Sequence, residues 1–415
     1  MNCNKKMAER FERLASIGAH NGGITRLAFT DDDWRARAVI REMMEEAGLA
    51  VRVDIFGNLI GRREGINPQA SVVMLGSHID SVPNGGNFDG IVGVLGAIEV
   101  IHRLSGIDKN FYHPLEVIAF MAEESSRFGR ATLGSKAFCG DLSFDDLERY
   151  KDKQGISLAQ AMRQRGLVPE NISQAQYSGE IKAFLEMHIE QGKVLESTGN
   201  TIGVVTAIAA PTRLRVDITG QADHSGATPM NMRQDALTAA AEIILTVEEL
   251  GQREAVYGSV GTTGIIKAEP GVMNVIPGKV ELGIDIRGIS MESKQRIVGG
   301  IARAITGIEK KRRITCKIVT LTHEKPVALS GNMITLLSEV CLEQRCAYRE
   351  MPSGAGHDAM HLAEITETGM IFIPCRGGIS HNPSEWASLH DIEIGVNVLF
   401  AAVDKLAAKE QVLLV

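Results

Sequence analysis

The segment from Val72 to Leu104 constrains this chain more than any other stretch of its sequence. An apolar run, V-V-M-L-G, is followed by a polar loop rich in glycine and asparagine, and then by an amphipathic apolar stretch. The loop contains His78, Asp80 and Asp89. This order predicts a buried strand, a loop that carries metal ligands, and a helix. Because imidazole and carboxylate groups occur here without a thiolate, the loop indicates a catalytic divalent-metal site and not a structural one.

The size and charge of the chain narrow the classes of protein to which it can belong. Its 415 residues suffice for two domains, or for one domain with a large insertion. A formal net charge of -7 argues against nucleic acid or an anionic membrane surface as the main partner. The N-terminus lacks the apolar segment of a secretory signal, and no apolar stretch is long enough to span a membrane.

The cysteines indicate the compartment in which the protein works. None of the six belongs to a C-x-x-C pair, and they are scattered over the chain at Cys3, Cys139, Cys316, Cys341, Cys346 and Cys375. In a chain of this size, such scatter is typical of reduced thiols. We therefore expect a cytoplasmic protein without a disulfide framework.

Alternating strand and helix patterns in the first part of the chain predict an α/β domain with a mostly parallel sheet. Helical periodicity covers residues 33–48 and 91–103, and strand-like runs cover residues 51–55, 59–62, 72–75 and 115–121. Parallel sheets bind ligands at the carboxyl ends of their strands. The loops that carry His78 and the Glu123–Glu124 pair are expected at that edge.

The pattern changes after Thr206. Strand-like runs at residues 213–220, 259–267, 280–287 and 314–321 are interleaved with helical stretches at residues 235–250 and 293–308. This β-α-β-β-α-β order predicts a compact ferredoxin-like unit, residues 211–325, inserted into a domain made of residues 1–210 and 326–415. A helix, a strand and a second helix complete the larger domain from Met333 onwards.

Five stretches carry candidate metal ligands, and each alone is a weak indication. They are G-S-H-I-D with His78 and Asp80, N-F-D-G with Asp89, M-A-E-E-S-S-R-F-G with Glu123 and Glu124, E-M-H-I-E-Q-G with His188, and G-I-S-H-N-P-S-E-W with His381. Two adjacent carboxylates that follow an apolar strand are costly to bury unless a cation or protons neutralise them. Such a pair suits a division of labour in which one group binds metal and the other moves protons.

These motifs resemble, in content and order over almost the whole chain, those of the co-catalytic di-metal aminoacylase/carboxypeptidase superfamily. Within it they are similar to the amidase branch of N-carbamoyl-L-amino acid hydrolases and allantoate amidohydrolases. The resemblance implies two metal sites that share Asp89 as a bridge, the first made of His78, Asp89 and His188, the second of Asp89, Glu124 and His381. Peptidase relatives often have a carboxylate at the position of His188, and the histidine fits the amidase branch.

The resemblance also implies the chemistry of the site. Glu123 is implied to be the general base, and Asp80 to orient His78. A ureido carbonyl is deactivated by two donating nitrogens, and a pair of divalent ions polarises it while making water more acidic. Imidazole and carboxylate ligands accept zinc, manganese, cobalt or nickel, so the sequence leaves the metal open.

The inserted unit carries a second set of candidate residues. From the residues alone, His224 is a turn residue, Asn274 a turn former and Arg287 a cation at a strand end. By resemblance, His224 stabilises an oxyanion, whereas Asn274 and Arg287 hold the substrate carboxylate. The resemblance further implies that the inserted unit forms the interface of a homodimer and closes over the site.

Three further positions are candidate substrate contacts. Gly356 lies in the string S-G-A-G-H-D-A, where its backbone is implied to contact substrate while His357 or Asp358 supports the metal shell. Gln191, in H-I-E-Q-G, is either a substrate contact or a support for the metal ligands. Arg213 lies in the string A-A-P-T-R-L-R-V, which resembles carbamoylases of hydantoin utilisation.

The sequence leaves several functions open. We expect an N-carbamoyl-L-amino acid hydrolase, that is, a hydrolase of non-peptide C–N bonds acting on a small ureido substrate with a carboxylate. Allantoate amidohydrolase is the main alternative, because it shares the ligands and the base. Aminoacylase or dipeptidase activity fits the strings less well. A non-catalytic binding protein would be marked by loss of Glu123 or of a ligand, and all of these residues are present.

Overall fold

The structure is a computed structural model that describes residues 3–106 and 111–409. These residues form two compact units, of which residues 207–328 make one and the described residues before and after them make the other. The expected limits of the inserted unit, 211 and 325, lie a few residues inside the observed ones. Both limits were placed next to prolines, but Pro211 lies within a strand and therefore does not mark the boundary.

The part of the chain before the inserted unit supplies most of the larger unit. Its strands are β1 (Ala19–His20), β2 (Gly23–Ile24), β3 (Ala50–Val53), β4 (Leu59–Arg63), β5 (Val72–His78), β6 (Leu115–Phe120), β7 (Ile181–Ile189) and β8 (Ile202–Ile208). Its helices are α1 (Cys3–Ala15), α2 (Asp31–Glu46), α3 (Ile91–Ser105), α4 (Leu133–Cys139), α5 (Phe144–Arg149), α6 (Leu158–Gln164) and α7 (Val194–Thr198).

The inserted unit has the β-α-β-β-α-β order that the sequence pattern predicted. Its elements are β9 (Ala210–Thr219), β10 (Asp223–His224), α8 (Ala236–Glu254), β11 (Ser259–Glu269), β12 (Val275–Ile276), β13 (Lys279–Gly288), α9 (Met291–Arg312), β14 (Thr315–His323) and β15 (Val327–Ala328). Four of these strands form an antiparallel sheet in the order β11–β13–β9–β14. Helices α8 and α9 bury one face of that sheet in an apolar core.

The chain then returns to the larger unit through α10 (Gly331–Glu343), β16 (Tyr348–Ser353), α11 (Ala359–Leu362), β17 (Thr368–Ile373) and α12 (Leu389–Leu406). The large sheet has the order β15–β8–β17–β7–β5–β6–β4–β3, with β16 also beside β8. Its four central strands, β17, β7, β5 and β6, are parallel, which confirms the predicted parallel sheet. The flanking strands β8, β4 and β3 are antiparallel to their neighbours.

Strand β5 is the centre of the larger unit, and all seven of its residues are buried. A continuous apolar run of this kind is typical of a parallel strand that is covered on both faces. The strand continues three residues beyond the expected end at Leu75, because Gly76, Ser77 and His78 remain paired with β6. A Cβ atom on Gly76 would lie 2.1 Å from the carbonyl oxygen of Ile118. Glycine at this position therefore allows the two strands to approach while β5 carries His78 to the sheet edge.

The helix that was expected over residues 33–48 begins and ends two residues earlier, as α2. The hydroxyl of Thr30 accepts a hydrogen bond from the backbone N–H of Asp33, which caps the first turn. Gly48 has a positive φ of 86°, so it ends the helical path as the sequence suggested.

Two further observations concern the cysteines and the helices of the chain. Five cysteines are free thiols, at Cys139, Cys316, Cys341, Cys346 and Cys375, and the side chain of Cys3 lies outside the described part. Among the described residues, no helix combines the length and the apolar character needed to cross a membrane.

Candidate active site

The candidate ligands lie at one edge of the large sheet. His78 is the last residue of β5, His188 is the penultimate residue of β7, and Glu123 and Glu124 follow the end of β6. His381 lies in the loop after β17. Because these four strands are adjacent and parallel, their carboxyl ends meet at the same edge. Residues that are as many as 303 positions apart in the sequence are thereby brought to one edge of the sheet.

The first cluster consists of His78, Asp89 and His188. The Nε2 atoms of the two imidazoles each lie 3.3 Å from Oδ1 of Asp89. The side chains are 1–10% exposed, so the cluster is buried. Three ligand atoms that converge in this way can surround one small cation.

The second cluster consists of Asp89, Glu124 and His381. Nε2 of His381 lies 3.4 Å from Oδ2 of Asp89 and 3.2 Å from Oε1 of Glu124. Asp89 therefore faces the first cluster through one carboxylate oxygen and the second cluster through the other. A bridging carboxylate requires this arrangement. The side chain of His381 is 49% exposed, so the second cluster is more accessible to solvent than the first.

The spacing of these atoms fits divalent metal ions. A tetrahedral ion with ligand atoms at about 2.1 Å separates neighbouring ligand atoms by about 3.4 Å. The four distances between imidazole nitrogens and carboxylate oxygens are 3.2–3.4 Å. The donors are nitrogen and oxygen atoms, which suit zinc, manganese, cobalt or nickel.

Unusual backbone conformations occur at several points of this edge. Ala122, Gln191 and His381 have positive φ values of 57°, 58° and 55°. This region is unfavourable for residues with a side chain and is often found at functional sites. Ala122 directly precedes Glu123, so its conformation turns the two glutamates at the end of β6. Gly90, with a φ of 66°, similarly separates Asp89 from the first residue of α3.

Glu123 lies beside both clusters but belongs to neither. Its Oε2 atom is 3.9 Å from Nε2 of His78, and the residue is 8% exposed. Burial raises the pKa of Glu123 well above its ordinary value; His78 opposes this effect, and the neighbouring charge of Glu124 adds to it. A carboxylate with this environment is suited to accept and return a proton.

Asp80 supports the site mainly through backbone groups. Its carboxylate accepts hydrogen bonds from the backbone N–H groups of Glu123 and Glu124, at 3.2 and 3.0 Å. Nδ1 of His78 lies 3.1 Å from the carbonyl oxygen of Asp80 and 3.6 Å from its carboxylate. The carbonyl group is thus the nearer partner of His78, and the carboxylate holds the two glutamates.

Protons on the imidazoles balance the carboxylates in the metal-free protein. Hydrogen bonds to Asp89 and Glu124 raise the pKa of His381 to about 10. Burial alone would lower the pKa of His78, but Asp80 and Asp89 outweigh it and raise that pKa well above the ordinary value. Burial also opposes ionisation of Asp89, yet the surrounding imidazoles lower its pKa well below the ordinary value.

Three further residues contact Asp89. Of these, Gln191 was named from the sequence with two alternative roles, whereas Ser380 and Glu385 were not singled out. Gln191 donates a hydrogen bond of 2.6 Å to Oδ2 of Asp89, so it contacts the shared carboxylate. The hydroxyl of Ser380 lies 2.8 Å from the same oxygen. The carboxylate of Glu385 accepts the backbone N–H groups of Phe88 and Asp89. Ser380 and Glu385 both stand in the string that carries His381, but the sequence did not indicate that they are turned inward.

The string that contains Gly356 lies against the first cluster. The ring of His357 is 4.6 Å from that of His188, and its Nε2 atom is 2.9 Å from the hydroxyl of Ser353. Burial lowers the pKa of His357 well below its ordinary value, so this imidazole is neutral. Asp358 accepts a hydrogen bond from Ser135. The contact between Gly356 and substrate stays a prediction.

In the inserted unit, His224 and Asn274 lie side by side. His224 pairs with Val275 between β10 and β12, and the carbonyl of Asn274 accepts the N–H of Ser225. Nδ1 of His224 lies 3.0 and 3.1 Å from the backbone N–H groups of Gly226 and Ala227. Because Nδ1 accepts these hydrogen bonds, the proton of the neutral ring resides on Nε2, which is then a donor.

Arg213 and Arg287 form a separate pair on the sheet of the inserted unit. Their Nε atoms lie 3.8 and 3.2 Å from Oδ2 of Asp285. Arg287 is near the end of β13, whereas β12 and its neighbour Asn274 precede the start of β13 at Lys279. Eight residues of extended strand span about 26 Å. The structure therefore does not bring Asn274 and Arg287 of one chain together.

A parallel sheet whose strand ends hold two imidazole–carboxylate clusters, with a buried glutamate beside them, is the arrangement of a metal-dependent hydrolase. The chain belongs to peptidase family M20/M25/M40, which matches residues 74–405 and is metal-dependent. The predicted family and its hydrolase class are thereby confirmed.

Relatives of known sequence and structure support this assignment. An uncharacterized hydrolase of Haemophilus influenzae is 44% identical, over 94% of each chain. An N-carbamoyl-L-amino acid amidohydrolase of Geobacillus stearothermophilus is 41% identical, over 98% of this chain and 99% of the relative. An allantoate amidohydrolase of Bacillus subtilis is 36% identical, over 98% of each. The crystal structure of a hydantoinase/carbamoylase family amidase from Burkholderia multivorans has a TM-score of 0.91 and 35% identity, over 98% of each chain.

Metal binding should release protons. At pH 7.5 the imidazole of His381 is protonated in the metal-free protein, because its pKa is raised to about 10. A metal ligand must be a neutral imidazole, so at least about one proton leaves on binding and the affinity rises with pH. Isothermal titration calorimetry with Zn²⁺ in buffers of different ionisation enthalpy measures the number of protons released.

The variant His381→Ala should release fewer protons than the unaltered protein, and His20→Ala, which removes an exposed histidine of β1, should release the same number. A binding enthalpy that does not depend on the buffer would contradict this prediction.

Proposed function

We propose that this protein hydrolyses the carbamoyl C–N bond of N-carbamoyl-L-amino acids, with two divalent ions per chain. The observation that carries the proposal is the pair of clusters that share Asp89, with Glu123 beside them. The carbamoyl substrate is supported by the 41% identical relative, which is named for this activity and aligned over nearly its full length. Zinc, manganese, cobalt and nickel all suit the donor set.

The residues of the larger unit divide the chemical work. When bound, the two ions polarise the ureido carbonyl and make water more acidic. Glu123 takes a proton from the attacking water and delivers it to the departing nitrogen. The terminal amide leaves as ammonia, and the carbamate that remains on the amino acid loses carbon dioxide to give the free amine. Asp80 holds Glu123 and Glu124 in place through their backbone N–H groups.

The residues of the inserted unit bind the substrate. His224 presents a protonated Nε2, which donates a hydrogen bond to the negative charge that develops on the carbonyl oxygen. Arg287 holds the substrate carboxylate through its guanidinium group, with Arg213 beside it and Asn274 as an amide donor. The backbone of Gly356 and the side chain of Gln191 complete the set, Gln191 acting mainly through Asp89.

We also propose that the protein works as a homodimer formed through the inserted unit. Strand β11 is an edge of the inserted sheet and exposes the apolar side chains of Val260, Ile265 and Ile266 by 50–57%. An exposed apolar edge of this length favours pairing with another chain. Because Asn274 and Arg287 lie far apart within one unit, a dimer lets them contact one substrate from two chains. The free thiols fit a cytoplasmic location.

Allantoate amidohydrolase is the second candidate, supported by the relative of Bacillus subtilis. Allantoate is also a ureido compound with a carboxylate, so both clusters and Glu123 would serve it equally. The string A-A-P-T-R-L-R-V in β9 resembles carbamoylases and therefore favours the carbamoyl substrate.

A comparison of three substrates tests the proposed function. We expect ammonia release from N-carbamoyl-L-methionine to exceed that from allantoate in kcat/KM, and N-acetyl-L-methionine to be hydrolysed poorly. Chelation of the metal should abolish the activity, and readdition of Zn²⁺ or Mn²⁺ should restore it. A preference for allantoate would support the second candidate, and the absence of hydrolysis with metal bound would contradict both.

The assigned base predicts a specific defect in Glu123→Gln. Loss of a general base lowers kcat by about 10²- to 10⁴-fold. Since Glu123 belongs to neither cluster, the variant should bind the same amount of metal, measured by elemental analysis. The exposed Glu364→Gln serves as the control and should leave kcat unchanged. Full activity of Glu123→Gln would overturn the mechanism.

Whether His224 of one chain acts in the active site of the other chain can be tested by complementation. His224→Ala and Glu123→Gln should each be nearly inactive alone. If His224 acts on the partner's site, a purified heterodimer of the two variants contains one complete site and shows about half of the wild-type activity, as expected for a two-fold symmetric dimer. A heterodimer as inactive as its parents would show that His224 serves its own chain, and failure to isolate any dimer would contradict the proposed assembly.

A further inference from the structure

Glu385 is a buried carboxylate that the proposed chemistry does not use. It is 5% exposed and lies four residues after His381, in the loop between β17 and α12. A buried carboxylate is costly unless its oxygen atoms are hydrogen-bonded. The partners of Glu385 are therefore informative about its role.

Both oxygen atoms of Glu385 are directed at the surroundings of Asp89. Oε1 accepts the backbone N–H groups of Phe88 and Asp89, at 2.8 and 3.0 Å. Oε2 lies 3.0 Å from the hydroxyl of Ser380, and that hydroxyl lies 2.8 Å from Oδ2 of Asp89. Glu385 thus holds the backbone of Asp89 directly and reaches its side chain through Ser380.

The contact is close on the side of the Asp89 loop. A Cβ atom on Gly86 would lie 2.3–2.4 Å from atoms of the Glu385 side chain. Glycine at this position lets the loop wrap over the carboxylate. The loop of His381 is also held at Glu385. The N–H of Glu385 donates a hydrogen bond to the carbonyl of Asn382, which closes a turn directly after His381. Glu385 therefore ties the loop of Asp89 to the loop of His381.

These two loops supply two of the three ligands of the second cluster. Nε2 of His381 and Oδ2 of Asp89 are 3.4 Å apart. Within the part of the chain that the structure describes, no disulfide and no strand pairing joins the loops that carry them. By contrast, His78 and His188 of the first cluster lie in adjacent regions of paired strands. The geometry of the second cluster thus depends on side-chain contacts between loops.

We propose that Glu385 is a positioning residue that sets the affinity of the second metal site, the one formed by Asp89, Glu124 and His381. This inference rests on one part of the proposed function, namely that each chain binds two metal ions. Residues that orient metal ligands typically change metal affinity by about 10- to 100-fold when they are removed. Glu385 holds the backbone N–H of Asp89 and, through Ser380, the Oδ2 atom that faces the second cluster. Its loss should therefore affect the second ion more than the first.

The test is metal binding by three variants, measured without substrate. Co²⁺ is titrated into the metal-free protein while visible absorption is recorded, and stoichiometry is checked by elemental analysis. We expect two ions in the wild-type protein. In Glu385→Ala the second ion should bind about 10- to 100-fold more weakly, with the first unchanged. In Ser380→Ala, which keeps the backbone contacts of Glu385, the second ion should be weakened less.

The conservative variant separates a positioning role from a general loss of structure. In Glu385→Gln the amide carbonyl accepts the two backbone N–H groups and the amide nitrogen faces Ser380, so affinity for the second ion should return to within a few-fold of wild type. The control is Asp235→Ala. Asp235 also accepts two backbone N–H groups on one oxygen, but at the start of α8 in the inserted unit, and it belongs to neither cluster. It should lower the melting temperature and leave both ions unchanged.

Several outcomes would overturn the inference. They are wild-type affinity for both ions in Glu385→Ala, equal weakening of both ions, or a Glu385→Gln variant as weak as Glu385→Ala. If Glu385→Ala does not fold, the positioning role of Glu385 is tested with Ser380→Ala and Glu385→Gln alone. Unchanged Co²⁺ binding in Ser380→Ala would then overturn the proposed link to Asp89. Wild-type protein that binds two ions without hydrolysing ureido substrates contradicts the proposed function but leaves this inference intact.

Discussion

The repulsion between buried carboxylates at one edge of the large sheet is the constraint on which the site depends. The carboxylates of Asp80, Asp89, Glu123 and Glu124 lie there with 10% or less of their side chains exposed, and buried Glu385 lies beside Asp89. Such charges are stable only when opposite charges or hydrogen bonds compensate them. In the metal-free protein the ligand histidines do this by holding protons, as their raised pKa values show. Metal ions bound by these residues would replace those protons.

The backbone, as well as the side chains, contributes to the arrangement of these carboxylates. Four adjacent parallel strands end at the same edge, so their loops converge without long connections. Helix α3 begins directly after Asp89 and Gly90, which directs the positive end of its dipole at the shared carboxylate. The left-handed residues Ala122, Gln191 and His381 then turn individual side chains inward. Strain of this kind persists because the surrounding contacts determine it.

Much of the fold and many residues of the candidate clusters were predictable because the information is local. Continuous apolar runs predicted β5 and β6, and candidate ligands follow these two runs within a few residues, as at His78 and Glu124. The strand β7, which carries His188, was not predicted. The inserted unit was recognisable from the alternation of its strands and from two amphipathic helices. Glu385 was not predictable in the same way, since a glutamate in a polar loop resembles a surface residue until the loop is folded over it. For the same reason, the sequence did not decide whether Gln191 contacts substrate or supports the metal ligands.

The sequence by itself determined which residues can bind metal, in which order they occur and which relatives the chain resembles, because residue types and their spacing are properties of the chain alone. Only the tertiary structure decided that Asp89 faces both clusters and that Asp80 holds the glutamates through their backbone. It also decided that Arg287 lies near the end of β13, whereas Asn274 precedes the start of that strand. These facts depend on which loops approach each other in space. Approach between distant segments is set by strand order and side-chain packing, and no local pattern records it.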